Sequence, residues 1–168
     1  MKALAGLLLF LALGALAAAA AAAEEPYAVG ERIAPFELED QFGDAGAVDE
    51  SVRFLLFSRD MEGGKILRSA VEGQTRETLA RLGAVYVADI HRMPGLIARI
   101  FAIPRMRRRG YPMLLDREGA ITQRLPDREG QATVLELDHL TLVAVHHFAA
   151  PDALRAQLGL AAPETGGN

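Results

Sequence analysis

Short apolar runs of strand length, an amphipathic segment between two of them and a closing pair of alternating segments predict an α/β domain. Its core is a mixed central sheet flanked by helices. The first strand is Pro35 to Asp40, where apolar and polar residues alternate with a period of two before the turn Gln41-Phe42-Gly43-Asp44. Val52 to Phe57 (VRFLLF) is rich in aromatic and branched residues and fits a strand buried on both faces. A polar break follows from Ser58 to Gly64. From Lys65, Leu67, Val71, Thr78 and Leu82 recur along one stripe with Ile66, Ala70 and Leu79 beside it, so the spacing predicts a single amphipathic helix stopped by Gly83. Glu72 with Arg76, and Glu77 with Arg81, stand four apart in the favourable order. Gly73 inside this helix costs about 1 kcal/mol relative to alanine.

Ala84 to Ile90 is a second buried strand, and Pro94 opens a short helix through Phe101 that Pro104 should stop. Pro112 to Asp116 is a third strand. Gln131 to Leu137 and Leu140 to Phe148 alternate and are separated only by Asp138-His139, the pattern of an antiparallel hairpin. Pro151 then opens a last helix through Leu158, and 161–168 reads as a frayed tail. This order places helices on both faces of the sheet, within one domain over 24–160.

The first 23 residues read as a separate object. Lys2 precedes an uncharged run from Ala3 to Ala23, with its leucines early and Ala21-Ala22-Ala23 before Glu24-Glu25, the order of a secretory signal peptide with an A-x-A-like cleavage site after Ala23. The other reading is an uncleaved anchor, since about 20 apolar residues span a bilayer. Cleavage leaves about 145 residues, a size at which one domain buries about 68% of its unfolded surface. The mature chain is then expected in the periplasm, without stable membrane insertion.

Composition removes several chemistries. The 168 residues contain no cysteine, which excludes disulfides, thiolate nucleophiles, thiolate zinc sites, Fe–S clusters and a lipid-bearing N-terminal cysteine. A net charge of −4 is too mildly acidic to suggest a nucleic-acid partner. The distribution is uneven: between Asp89 and Asp116 there is no acidic residue, yet Arg92, Arg99, Arg105, Arg107, Arg108 and Arg109 all fall there. Such a run is either solvated surface or a patch for an anion or partner, with Arg105, Arg107, Arg108 and Arg109 as its centre.

Three segments carry a family resemblance. Ala34-Pro35-Phe36-Glu37-Leu38-Glu39-Asp40-Gln41-Phe42-Gly43 resembles the "aPxFxLxDxxG" opening strand of peroxiredoxins and related thioredoxin-fold proteins. Tyr111-Pro112-Met113-Leu114-Leu115-Asp116-Arg117-Glu118-Gly119 resembles their "yPLLsDxxG" segment, and Gln131 to Asp138 their "RaTFxID" strand. The resemblance implies a thioredoxin-like three-layer sandwich; it does not imply activity. The family's cysteine, set in the first turn of a helix where the dipole favours a thiolate, falls here on Met61-Glu62-Gly63-Gly64-Lys65. Its partner arginine is replaced by Gln131. Cysteine peroxidase and thiol–disulfide exchange are thereby excluded. Tyr111-Pro112, Asp116, Gly119, the hairpin from Thr133 to Phe148 and the Pro151 helix also resemble cysteine-less periplasmic thioredoxin-fold proteins of the YtfJ type, whose function is not established.

Other motifs fail. Gly63-Gly64-Lys65 is no phosphate loop, because Arg59 stands where the first glycine belongs and Ile66 follows the lysine. G-x-G-x-x-G, G-x-S-x-G and H-E-x-x-H are absent, and His146-His147 lies in a strand, where neighbours point to opposite faces. No cofactor is expected. What remains is a place: loops at the carboxyl ends of parallel strands converge on one edge, where ligands usually bind. There the fold would gather Arg59, Asp60, Gly63, Gly64, Lys65, Asp89, His91 and Gln131. Gly63-Gly64 would leave N–H groups bare at a helix start, suited to a carboxylate or phosphate.

Three readings stay open. The leading one is a non-redox binding or adaptor module for a periplasmic protein or small anion, using this edge and the arginine patch. A second is an enzyme without cysteine, with Asp60, Asp89 or His91 as acid or base. A third is a Cu(I) site of Met61, His91 and Met93, although methionines also fill cores and line loops without metal.

Overall fold

The computed structural model describes residues 25–161, so the leader expected at 1–23 and nearly all of the tail expected at 161–168 lie outside the described residues. Five strands form the main sheet in the order β5-β4-β3-β6-β7. They are β3 (Phe54–Ser58), β4 (Ala84–Asp89), β5 (Leu114–Asp116), β6 (Ala132–Asp138) and β7 (Thr141–Phe148). The first three are parallel, while β6 joins β3 and β7 antiparallel. A separate ribbon pairs β1 (Phe36–Glu39) with β2 (Ala45–Val48), the latter not anticipated from the sequence. Asp40 makes the turn between them, its buried carboxylate accepting the N–H groups of Phe42, Gly43 and Asp44.

Period-two alternation sorts the sheet's side chains into two cores. Leu56, Tyr86, Leu115 and Val134 face one side, where α1 (Met61–Ala70), α2 (Arg76–Leu82) and α5 (Pro151–Gln157) contribute Leu67, Leu79 and Leu154. Fully burying a leucine of this kind is worth about 1.5–3 kcal/mol. Leu55, Phe57, Val87 and Leu135 face the other, under Ile33, Val48 and Leu125. The third layer is thus the N-terminal segment, the β1–β2 ribbon and a 3₁₀ turn (Thr122–Arg124) rather than α-helix.

The single helix expected from Lys65 to Leu82 is two. It starts earlier, at Met61, and breaks after Ala70, where Gly73 turns the chain with φ +77°. Thr75 then caps α2, accepting the Thr78 N–H, and the Gly110 carbonyl takes the Arg76 N–H. The short helix also runs through Pro104 instead of stopping before it. After α3 (Gly95–Ile97) a π turn (Ala98–Ala102) leads into α4 (Ile103–Met106), and the Ile103 N–H bonds Ala98 O five residues back. Pro104 stands in the first turn of α4, where a proline is tolerated. The hairpin turn lies one residue later than expected, on His139-Leu140, both with positive φ (45° and 67°), as a two-residue type I′ loop requires. Leu140 tolerates this because its side chain is buried in the second core.

Candidate functional site

The ends of β3 and β4 bring Arg59, Asp89 and His91 together. Arg59 lies over the Phe57 ring at 5.3 Å and donates to the Thr122 carbonyl (2.6 Å) and to Asp127 (2.9 Å). Its Nε stands 3.4 Å from Asp89 Oδ2. Asp89 is buried and its Oδ1 accepts the His91 backbone N–H at 3.0 Å and the ring Nδ1–H at 2.6 Å. The imidazole rests on Gly119, where a Cβ would fall 2.7 Å from its Cγ. A carboxylate on Nδ1 fixes the tautomer and turns Nε2 outward, the arrangement of an oriented base. Among the described residues no set of three His, Asp or Glu side chains converges on a metal-sized site. Met93 packs against the first core, and Met61 is 79% exposed.

Asp60, Gly63, Gly64 and Gln131 meet as well, but their groups are spoken for. Asp60 caps α1 by accepting the Gly63 N–H (2.7 Å) and with its other oxygen accepts the Gly130 N–H (2.7 Å). The Gly64 N–H bonds the Asp60 carbonyl. These amides are therefore not bare donors, which corrects the expectation of an anion cradle at the two glycines. Gly63 is needed because the helix presses on backbone: a Cβ there would stand 2.2 Å from the Gln131 carbonyl oxygen. Lys65 is exposed beside them.

The arginine run divides in the same way. Arg107 Nε donates to the Gln41 carbonyl at 2.7 Å, and Arg109 is half-buried with its Nε enclosed. Gln41 is itself buried and clamps the chain on either side of Pro112, donating to the Tyr111 carbonyl and accepting the Met113 N–H. The Tyr111–Pro112 bond is trans. Arg92, Arg99, Arg105 and Arg108 stay exposed. Between them Leu96, Ile97, Ile100 and Phe101, at i, i+1, i+4 and i+5 of one helical stretch, are 65%, 49%, 51% and 59% exposed.

A further cluster at this edge escaped the sequence reading. Tyr86 reaches from β4 to place its hydroxyl 3.4 Å from Ser58 Oγ, and Tyr111 stacks on it with ring centroids 6.4 Å apart. The available signal was Tyr86 itself, a phenol in an otherwise aliphatic strand whose hydroxyl must find a partner. Burial pushes both phenols above their ordinary value of 10.0, with the charges of Arg68 and Arg109 opposing. The unfolded chain therefore releases these protons first, and stability present below pH 10 should be lost as the pH rises past it. Urea unfolding of wild type and Tyr111→Phe at neutral and alkaline pH checks this: the variant should lose less, and an equal loss would remove Tyr111 from the effect.

No protein-family model matches the chain, and no curated protein does. Solved structures match in fold. The peroxidoxin BcpB of Mycobacterium tuberculosis is similar over 77% of this chain and 92% of its own, at 20% identity and a TM-score of 0.51. The thioredoxin domain of a thiol-disulfide oxidoreductase from Bacteroides vulgatus matches 79% of this chain and 96% of its own, at 10% identity and a TM-score of 0.51. The C-terminal domain of an uncharacterized Bacteroides fragilis protein matches at 10% identity, 79% and 97% coverage and a TM-score of 0.50. The chain has the thioredoxin-like fold. It lacks the cysteine on which thiol peroxidase and disulfide chemistry depend, so neither of those two chemistries is open to it.

Proposed function

We propose that the protein is an exported, non-enzymatic adaptor that binds an acidic periplasmic protein through the helical face from Pro94 to Arg108. The observation that carries this reading is the exposed row Leu96, Ile97, Ile100 and Phe101 bordered by Arg92, Arg99, Arg105 and Arg108, in a stretch without one acidic residue. An apolar centre with a charged rim is the anatomy of a protein interface. Arginine alone supplies the charge here, and its planar fork pairs carboxylates two bonds at a time. The partner is therefore a segment with apolar anchors flanked by Asp or Glu. Leader and export remain part of the proposal, supported by the order Lys2, apolar run, Ala21-Ala22-Ala23.

A peptide-display selection against the mature protein tests it. Enriched peptides should pair apolar residues with acidic ones, and Arg105→Glu with Arg108→Glu should weaken them at least tenfold, about 1.4 kcal/mol. The melting temperature should be unchanged, because both side chains are exposed. Neutral peptides indifferent to the double substitution would overturn the reading. So would avid binding to anionic lipid vesicles with no peptide enriched.

A further inference from the structure

Four elements converge on one polar spot inside the first core. Ser58 ends β3, Tyr86 comes from β4, Arg68 from α1, and Arg109 and Tyr111 from the loop before β5. Gly64 sets the geometry: a Cβ there would fall 2.8 Å from Arg68 Nη1 and 3.4 Å from Ser58 Oγ, so the missing side chain lets the guanidinium lie across the helix start beside the serine. The two tyrosine rings are nearly parallel, 24° apart, with the Tyr86 hydroxyl at Ser58.

Two groups here lack a well-formed partner. Tyr111 is only 4% exposed, and its hydroxyl makes no hydrogen bond of good geometry although the Arg109 side chain stands close to it; the enclosed Nε of Arg109 is unpaired as well. A buried donor without a partner is destabilising. Among the described residues neither Arg68 nor Arg109 forms an ion pair with a carboxylate, whereas Arg59, nearby on the same edge, has both Asp89 and Asp127. Both guanidinium charges nevertheless act on the two phenols. Glu72, exposed on the helix break, is the acid acting on Tyr111.

We propose that Arg68, Arg109, Tyr111, Tyr86 and Ser58 form a binding site for a small oxyanion, a carboxylate, sulfate or phosphate group. Such a group accepts from two guanidinium forks and from hydroxyls at once, and carries the charge that two arginines without acid partners lack. The site is separate from the apolar helical face, sharing no residue with the row from Leu96 to Phe101.

Titration calorimetry and thermal shift with sodium sulfate, inorganic phosphate and acetate, at constant ionic strength set with chloride, test it on the mature protein. At least one oxyanion should bind saturably and raise the melting temperature. Tyr111→Phe and Arg68→Gln should each weaken that binding at least tenfold, and Gly64→Ala should weaken it by displacing Arg68. Tyr111→Phe should also melt no lower than wild type without anion, since it removes a hydroxyl that lacks a well-formed partner. This keeps lost binding distinct from lost folding. Arg105→Gln with Arg108→Gln should leave the anion affinity unchanged. No saturable binding by any of the three anions, or full affinity in Tyr111→Phe, would overturn the site; loss in the Arg105, Arg108 variant instead would place the anion outside it and overturn it equally. Peptide binding by the helical face is not affected by either result.

Discussion

Gly63→Ala is expected to destabilise the protein by about 2–3 kcal/mol, although alanine is the better helix former by about 1 kcal/mol. The reversal of sign follows from what the added methyl meets. It would stand 2.2 Å from Gln131 O and 2.8 Å from Gln131 C, both backbone atoms that cannot rotate away. Helix α1 must move off β6, and with it Asp60, which ties the helix start to Gly130. Gly95→Ala is the matched control. It lies in a helix, has no positive φ and nothing within 4 Å of an added Cβ, so it should be neutral or stabilising. Thermal melts of both variants decide the matter: a fall of about 10 °C is expected for Gly63→Ala alone. Equal melting temperatures would show that helix and strand are not in contact there.

Asp116→Ala should cost more, about 3–5 kcal/mol. The carboxylate is 2% exposed and accepts five hydrogen bonds. Oδ1 takes the N–H groups of Glu118 and Gly119, and Oδ2 those of Ile121 and Thr122 together with the Thr122 hydroxyl. Without it these donors lose their acceptor, the Thr122 N–H and hydroxyl in a buried position. The loop also supports the candidate edge, since Gly119 seats His91 and the Thr122 carbonyl receives Arg59. Denaturant unfolding should show the loss, and proteolysis should cut between Arg117 and Arg124. A loss under 1 kcal/mol would mean that water replaces the carboxylate.

The parts of the fold that could be read in the sequence are those set by local burial. VRFLLF and AVYVADI are apolar over the length of a strand and became β3 and β4; the alternation from Gln131 to Phe148 became the hairpin. Where two local signals competed, periodicity was the poorer guide. The spacing of Leu67, Val71 and Leu82, with Leu79 beside them, runs on because these side chains pack into or against one core, yet Gly73 and the Thr75 cap divide the helix between them. Pro104 signals a helix stop, yet it stands in the first turn of α4, directly after a π turn, where a proline is tolerated.

The site was legible only where its residues follow a strand end, as Arg59 and Asp89 do. The charge run was visible, but which arginines face inward depends on contacts across the chain. Arg107 is held by Gln41, 66 residues away, and Arg109 lies beside Tyr111. Spacing holds no trace of such pairs. The cluster of Ser58, Arg68, Tyr86, Arg109 and Tyr111 likewise exists only once four elements are packed.

The exposed face between Pro94 and Arg108 can be probed in the native cell by site-specific photocrosslinking. A benzoylphenylalanine placed at Ile100, with one at Val143 on the edge strand as the reference, reports what each surface touches; the two residues are 51% and 47% exposed. A protein adduct is expected from Ile100 and not from Val143, formed on a mature chain beginning at Glu24, with an acidic segment at the crosslinked position and abolished by Arg105→Glu with Arg108→Glu. Equal adducts from both positions, or an Ile100 adduct that survives the charge reversal, would contradict the proposed adaptor role.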